Sequence, residues 1–177
     1  EMMSANRTTI TSGPPFGYDL AAMRVRPSDA AQWDLSALRV ASVGAEMINP
    51  EPLKRFAEAL APSGFKSTAF LPCYGMAECS LGISFAGLDE ELQIDYVDAE
   101  QMQEDSVATP LDPEEAQKSK RRVARYVDCG ALLPTFEIAI RDEHGNDHQI
   151  DHDKPEHPPE DRAQGCGIAH NAFDDEH

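Results

Sequence analysis

The stretch "LRVASVGAEMINPEPLKRFAEALAPSGFKSTAFL", residues 38–71, decides the fold. Leu38 to Val43 is a short apolar run that reads as a buried strand, and Gly44-Ala45-Glu46 ends it. Pro50 and Pro52 then open a helix, since proline is tolerated in a first turn. Leu53, Phe56 and Leu60 fall at i, i+3 and i+7 and make one apolar stripe. Pro62-Ser63-Gly64 closes the helix, and Thr68 to Leu71 is a second short strand that Pro72 is expected to end. Strand, helix, strand in this spacing predicts a parallel pair joined by a crossover helix.

The same alternation extends upstream. Arg7 to Thr11 is β-rich and stops at Ser12-Gly13-Pro14-Pro15, and Tyr18 to Val25 reads as a helix carrying Leu20 and Met23 inward. Downstream, Leu81 to Phe85 is a short apolar element and Leu92 to Val97 alternates like a strand. Residues 98–120 are acidic, then basic, and read as a surface excursion with at most short helices. Val123 to Val127 and Phe136 to Ile140 are two more expected strands, with His144-Gly145-Asn146 as a turn after them. The predicted class is α/β: a partial, mostly parallel sheet with crossover helices, then a β-rich segment.

The composition breaks near the end. All six histidines lie beyond residue 143, and from Arg141 onward eleven acids face three basic residues. Residues 147–177 are thus expected to be a disordered acidic tail, and 1–146 the folded part. His144, His148 and His152 are spaced four apart, but Gly145, Pro155, Pro158 and Pro159 oppose the helix that would gather them around a metal. The formal net charge of −17 argues against nucleic acid and against an anionic membrane surface. No apolar run reaches the roughly 20 residues of a membrane span. Four scattered cysteines and no signal-like start point to a reduced, cytoplasmic setting.

In a parallel sheet, ligands collect outside the carboxyl ends of the strands. Three turns qualify: Pro14 to Asp19, Gly44-Ala45-Glu46 and Tyr74 to Glu78. Tyr74 offers a face for stacking, Gly75 allows close approach to the backbone, and Glu78 could hold a hard cation. Phe16 and Tyr18 either line an apolar pocket or pack as ordinary core. No Gly-x-x-x-x-Gly-Lys-Ser/Thr loop, Gly-x-Gly-x-x-Gly or Gly-x-Ser-x-Gly is present. With no histidine before residue 144, a Ser–His or Cys–His dyad is excluded from the folded part. Cys73 and Cys79 read as small buried hydrophobes.

Three segments in order, "ITSGPPFGYDLAAMRV", "DLSALRVASVGAEMINPEPLKRFAEALAPSGF" and "FLPCYGMAECSLGISF", resemble the central part of fatty acyl-AMP ligases. These belong to the adenylate-forming superfamily of acyl-CoA synthetases, luciferases and adenylation domains. "YVDCGALLPTFEIAIRDEHGN" resembles the stretch that follows, so the likeness covers about residues 1–146. The resemblance implies an enzyme that uses ATP and Mg²⁺ to convert a fatty acid to its acyl-adenylate. The acyl group then passes to an acyl carrier protein or a polyketide synthase carrier domain. It places Gly44, Ala45 and Glu46 along adenine and Tyr74 stacked on it. Gly75, Met76 and Ala77 would lie around the α-phosphate and the substrate carboxylate, Glu78 beside Mg²⁺, and Phe16 and Tyr18 beside the acyl pocket. Ala77 replaces a threonine common in the superfamily, as is usual in this branch. Residues 88–125 correspond to a region where the branch carries an inserted element held to disfavour the CoA-using conformation. A packed insertion there would speak for the carrier-protein branch, a plain loop for an acyl-CoA synthetase.

The family's Ser/Thr/Gly-rich phosphate loop, ribose-binding aspartate, hinge and catalytic lysine are not among these residues. After about Asn146 the sequence leaves the family pattern, as a frameshift or truncation would produce. The chain by itself is therefore expected not to adenylate, and a non-catalytic acidic interaction protein is the alternative from another class.

Overall fold

The computed structural model describes residues 1–148 except Ser106, Thr135, Asp142 and Glu143, with backbone alone for 147–148. The disordered-tail expectation and His152 of the histidine series lie outside these residues. Two units emerge: Glu1–Ile94 with Arg125–Phe136, and Asp95–Ala124 with the residues from Glu137 on.

The first unit opens with a one-turn helix α1 (Met2–Ala5), followed by strand β1 (Ile10–Gly13) and helix α2 (Pro15–Arg24). A short helix α3 (Pro27–Ala30) leads to β2 (Val40–Val43). Helix α4 (Pro50–Leu60) then leads to β3 (Phe70–Met76) and β4 (Leu81–Phe85). The second unit contributes β5 (Ile94–Asp98), α5 (Ala99–Asp105), β6 (Pro110–Leu111) and α6 (Pro113–Lys118). After β7 (Val123–Val127), β8 (Ala131–Leu132) returns to the first sheet, and β9 (Ile140–Arg141) pairs with β10 (Asp147–His148).

The main sheet has the order β1-β2-β3-β4-β8. Its β1-β2-β3 half is parallel, as the alternation predicts, and its β3-β4-β8 half is antiparallel. Crossover connections share one hand. Successive steps from β1 to β2 to β3 therefore put α2 and α4 on the same face, where they pack on each other. Asn49 starts α4 with its side chain, accepting from the Glu51 N–H at 3.1 Å. The stripe read from the sequence faces the core: Leu53 is fully buried, Phe56 3% and Leu60 2% exposed. Tyr18, Phe56, Phe65 and Phe70 interlock there edge to face, with centroids 5.1–5.5 Å apart. Such pairs add about 0.5–1.5 kcal/mol each beyond area burial.

Four expectations are corrected. β1 begins at Ile10, not Arg7, because Arg7 turns through a positive φ of 46° and the Thr8 N–H is spent on the Met3 carbonyl. Helix α2 turns Tyr18, Ala21, Ala22 and Val25 inward, leaving Leu20 and Met23 exposed. Pro72 does not end β3. Pairing with β2 stops there, at Val43 opposite Pro72, and β3 runs on to Met76 against β4. Proline has no N–H to give a ladder, which makes it a natural point for the strand to change neighbours. Between Phe136 and Ile140 only Ile140 is in a strand, because the Phe136 N–H closes a turn on the Leu133 carbonyl after Pro134.

The expected excursion, residues 98–120, carries the short helices α5 and α6 and also the two-residue strand β6. β6, β5 and β7 form a three-stranded sheet, and Val97, Asp98 and Ala99 are buried. The Asp98 carboxylate accepts from the Glu100 and Gln101 N–H groups at 3.0 Å and from Arg121 at 2.9 Å. The bond from Gln101, then the Arg121 guanidinium and the Glu100 amide, hold this carboxyl below its usual range despite its burial. Asp98-Ala99-Glu100-Gln101 has the spacing of a capping box, a signal present in the sequence.

Candidate functional site

In the register of the parallel half, Gly13 lies opposite Val43 and Val43 opposite Pro72. The parallel pairing of β1, β2 and β3 therefore ends at one level, at Gly13, Val43 and Pro72. Pro14 to Asp19 and Gly44-Ala45-Glu46 leave the sheet there, while β3 runs on beside them through Cys73 to Met76, paired with β4, before Ala77 and Glu78. This is the juxtaposition that a sheet of parallel neighbours requires.

Contacts tie these segments to one another. The Phe16 N–H donates to Glu46 Oε1 at 3.0 Å, joining the first segment to the second. Gly44 is buried against Cys73: a Cβ there would stand 2.6 Å from the Cys73 carbonyl oxygen. Only glycine allows that approach, so its small size serves backbone packing between the second and third segments. Cys73 Sγ also lies 3.3 Å from Ser42 Oγ and 3.4 Å from the Val43 carbonyl. Ala45 takes a positive φ of 68°, which turns the chain back so that Glu46 points toward α2.

The third segment divides in character. A bulge between Tyr74 and Gly75 shifts the β3–β4 register, and the Tyr74 ring is 38% exposed. Gly75 does not leave room for a ligand. A Cβ on it would fall 1.5 Å from the Leu81 carbonyl oxygen, so β4 fills that space. Met76 ends the strand, and Ala77 and Glu78 stand exposed in a short 3₁₀ turn, Ala77–Cys79. Ser80 and Leu81 follow with φ of 59° and 84° and reverse the chain into β4.

The two aromatic candidates part company. Phe16 is 63% exposed beside Glu46. Tyr18 is 6% exposed, belongs to the ring cluster, and donates its hydroxyl to the Ser42 carbonyl at 2.8 Å. Burial, with Cys73 nearby, pushes that hydroxyl above its ordinary pKa, so it stays protonated. Cys129 is likewise pushed up to about 11 by burial, then by Asp128 and Cys73, and is no nucleophile at neutral pH. Cys73 and Cys79 are half-buried, with free thiols. Ser42 and the Asp19–Arg55 ion pair were missed in sequence, because neither has a local pattern; both depend on packing across the fold. Among the described residues, no three His, Cys, Asp or Glu side chains converge on a metal site, and no helix is long and apolar enough to cross a membrane.

Residues 1–154 match the family described as AMP-binding enzyme. A putative acyl-CoA synthetase of Caulobacter vibrioides is 38% identical over 150 residues, which is 85% of this chain and 25% of that protein. A medium-chain-fatty-acid–acyl-carrier-protein ligase of Moorena producens is 31% identical over 79% of this chain and 23% of its own length. Among solved structures, one from work on fatty acyl-adenylate ligases of E. coli and L. pneumophila superposes with a TM-score of 0.76 at 38% identity. It spans 84% of this chain and 26% of that one. The L. pneumophila fatty acyl-adenylate ligase in complex with acyl adenylate and pyrophosphate gives 0.69 at 26% identity, over 80% of this chain and 23% of its own. The chain thus spans about a quarter of the length of the curated relatives it matches.

Proposed function

This chain belongs to the AMP-binding enzyme family, of the adenylate-forming superfamily, and we propose that it is the adenine-side wall of a fatty acyl-AMP ligase. The observation that carries the reading is that three segments meet where the parallel pairing of β1, β2 and β3 ends, with Phe16 bonded to Glu46 and Gly44 seated on Cys73. Gly44, Ala45 and Glu46 line adenine, the Tyr74 ring stacks on it, and Gly75, Met76 and Ala77 lie near the α-phosphate. Phe16 stands at the acyl side. Tyr18 supports that side from within the core and does not line it.

The reaction joins a fatty carboxylate oxygen to the α-phosphorus of ATP and expels pyrophosphate. Positioning and charge neutralisation dominate such transfers. The residues fit Mg²⁺ in part: Glu78 is one exposed carboxylate, and this ion is commonly held by one or two carboxylates together with substrate phosphates. When bound, Mg²⁺ would offset phosphate charge. In the second step the thiol of a carrier protein's phosphopantetheine attacks the acyl carbonyl and AMP leaves.

Carrier-protein loading is favoured over CoA by residues 95–124, which form a packed sheet around Asp98 instead of a plain loop. Within these 177 residues there is no phosphate loop and no catalytic lysine of the family's pattern, so the chain binds weakly and does not turn over. Residues 1–146 are read as the fragment of the AMP-binding domain. Titration of the ¹⁵N-labelled chain with dodecanoyl-sulfamoyl-adenosine, a stable acyl-adenylate analogue, tests the site. Amide shifts are expected at Ala45 and Tyr74, and their absence would sink the reading. Pyrophosphate exchange into ATP with C8–C16 acids is expected to be nil, and clear exchange would refute the inactivity.

A further inference from the structure

We infer that Glu46 is a positioning residue that aligns the acyl side of the site with its adenine side. The inference rests on the reading of the site given above. Pro14 and Pro15 have no N–H, and Pro14 makes no side-chain cap for α2. Phe16 carries the first amide of the helix, and it donates to the Glu46 carboxylate, thirty residues away in sequence. Glu46 is exposed, so it has no need of this bond for its own burial. Reaching Phe16 depends on Ala45 holding a left-handed backbone, which is unfavourable for a residue with a Cβ.

That outlay fixes one particular group. Phe16 is the exposed aromatic at the end of β1, and Glu46 closes the turn at the end of β2. One charge-assisted bond therefore sets the distance between the two turns, and with it the place of the Phe16 ring relative to Gly44-Ala45. A ligand that spans both turns feels this alignment. A ligand that touches only the adenine side does not.

The test compares two probes on the whole chain: dodecanoyl-sulfamoyl-adenosine, which spans both sides, and AMP, which does not. Glu46→Ala is expected to weaken the acyl probe about tenfold more than it weakens AMP, a difference equivalent to about 1.4 kcal/mol. Glu46→Gln keeps an acceptor oxygen and is expected to restore most of the loss. Equal losses for both probes, or no rescue by Gln, would overturn the inference while leaving the site. Failure of the unsubstituted chain to bind either probe would overturn the site reading and this inference with it. Should Glu46→Ala not fold, Glu46→Asp, one methylene shorter, takes its place in the same comparison of the two probes.

Discussion

The parallel half of the main sheet and the segment 95–124 are held by opposite means. Beneath β1, β2 and β3 the work is apolar: four rings meet edge to face, and Val43 and Leu53 are fully buried. Among the described residues of 95–124 the buried apolar ones are Val97 and Ala99, and a carboxylate, Asp98, gathers a helix start and an arginine. The first arrangement depends on shape and is indifferent to mild acid. The second depends on charge. The proposed site sits on the first kind of support.

The largest blow to this contrast is Phe56→Ala, which removes the ring touching Tyr18, Phe65 and Phe70. It should cost about 3–5 kcal/mol by denaturant unfolding of the first unit. A loss below about 1 kcal/mol would mean the ring cluster is not the support. Gly75→Ala comes next. The added Cβ meets the Leu81 carbonyl, so about 1–3 kcal/mol of strain is expected, with amide shifts concentrated in β3 and β4. An unchanged spectrum would show that the space is open after all.

Acid sharpens the comparison from the other side. Asp98 has a folded-state pKa below its ordinary 3.8, so its contribution is complete above that value and is lost as pH falls through the lower, folded value. Hydrogen exchange should therefore show protection at 95–105 failing in acid before that of α4, and Asp98→Asn should cause the same loss at neutral pH. Equal acid sensitivity of α4 would erase the contrast. Asn49→Ala, which removes the α4 cap, should cost about 1 kcal/mol. Lys118→Ala in the exposed pair with Glu114 should change stability by no more than about 0.5 kcal/mol.

Much of the first unit was legible because its signals are local. The i, i+3, i+7 stripe of α4, its proline start and the apolar run before Gly44 each report on neighbours a few residues apart, and each element formed where it was read. The strand that runs through Pro72 was not legible, since it depends on β4 arriving as a new partner. The inward face of α2 was misread for a related reason. Leu20 and Met23 are the larger hydrophobes, but the sheet and α4 accept the face bearing Tyr18, Ala21 and Ala22.

For the site, residue types and their order pointed to three strand-end turns, and their resemblance to one family gave each a role. Sequence alone thus determined the chemistry on offer: an aromatic face at Tyr74, an acid at Glu78, small residues at Gly44 and Ala45. Tertiary structure alone decided which of them stay exposed and which are taken up by packing. It buried Tyr18 among rings, gave Gly75 to the Leu81 carbonyl, seated Gly44 on Cys73 and bound Glu46 to Phe16. The physical reason is that a side chain's chemistry is fixed by its own atoms. Its exposure and partners are fixed by other segments, such as Phe16 thirty residues from Glu46, which meet only when the strands come into register.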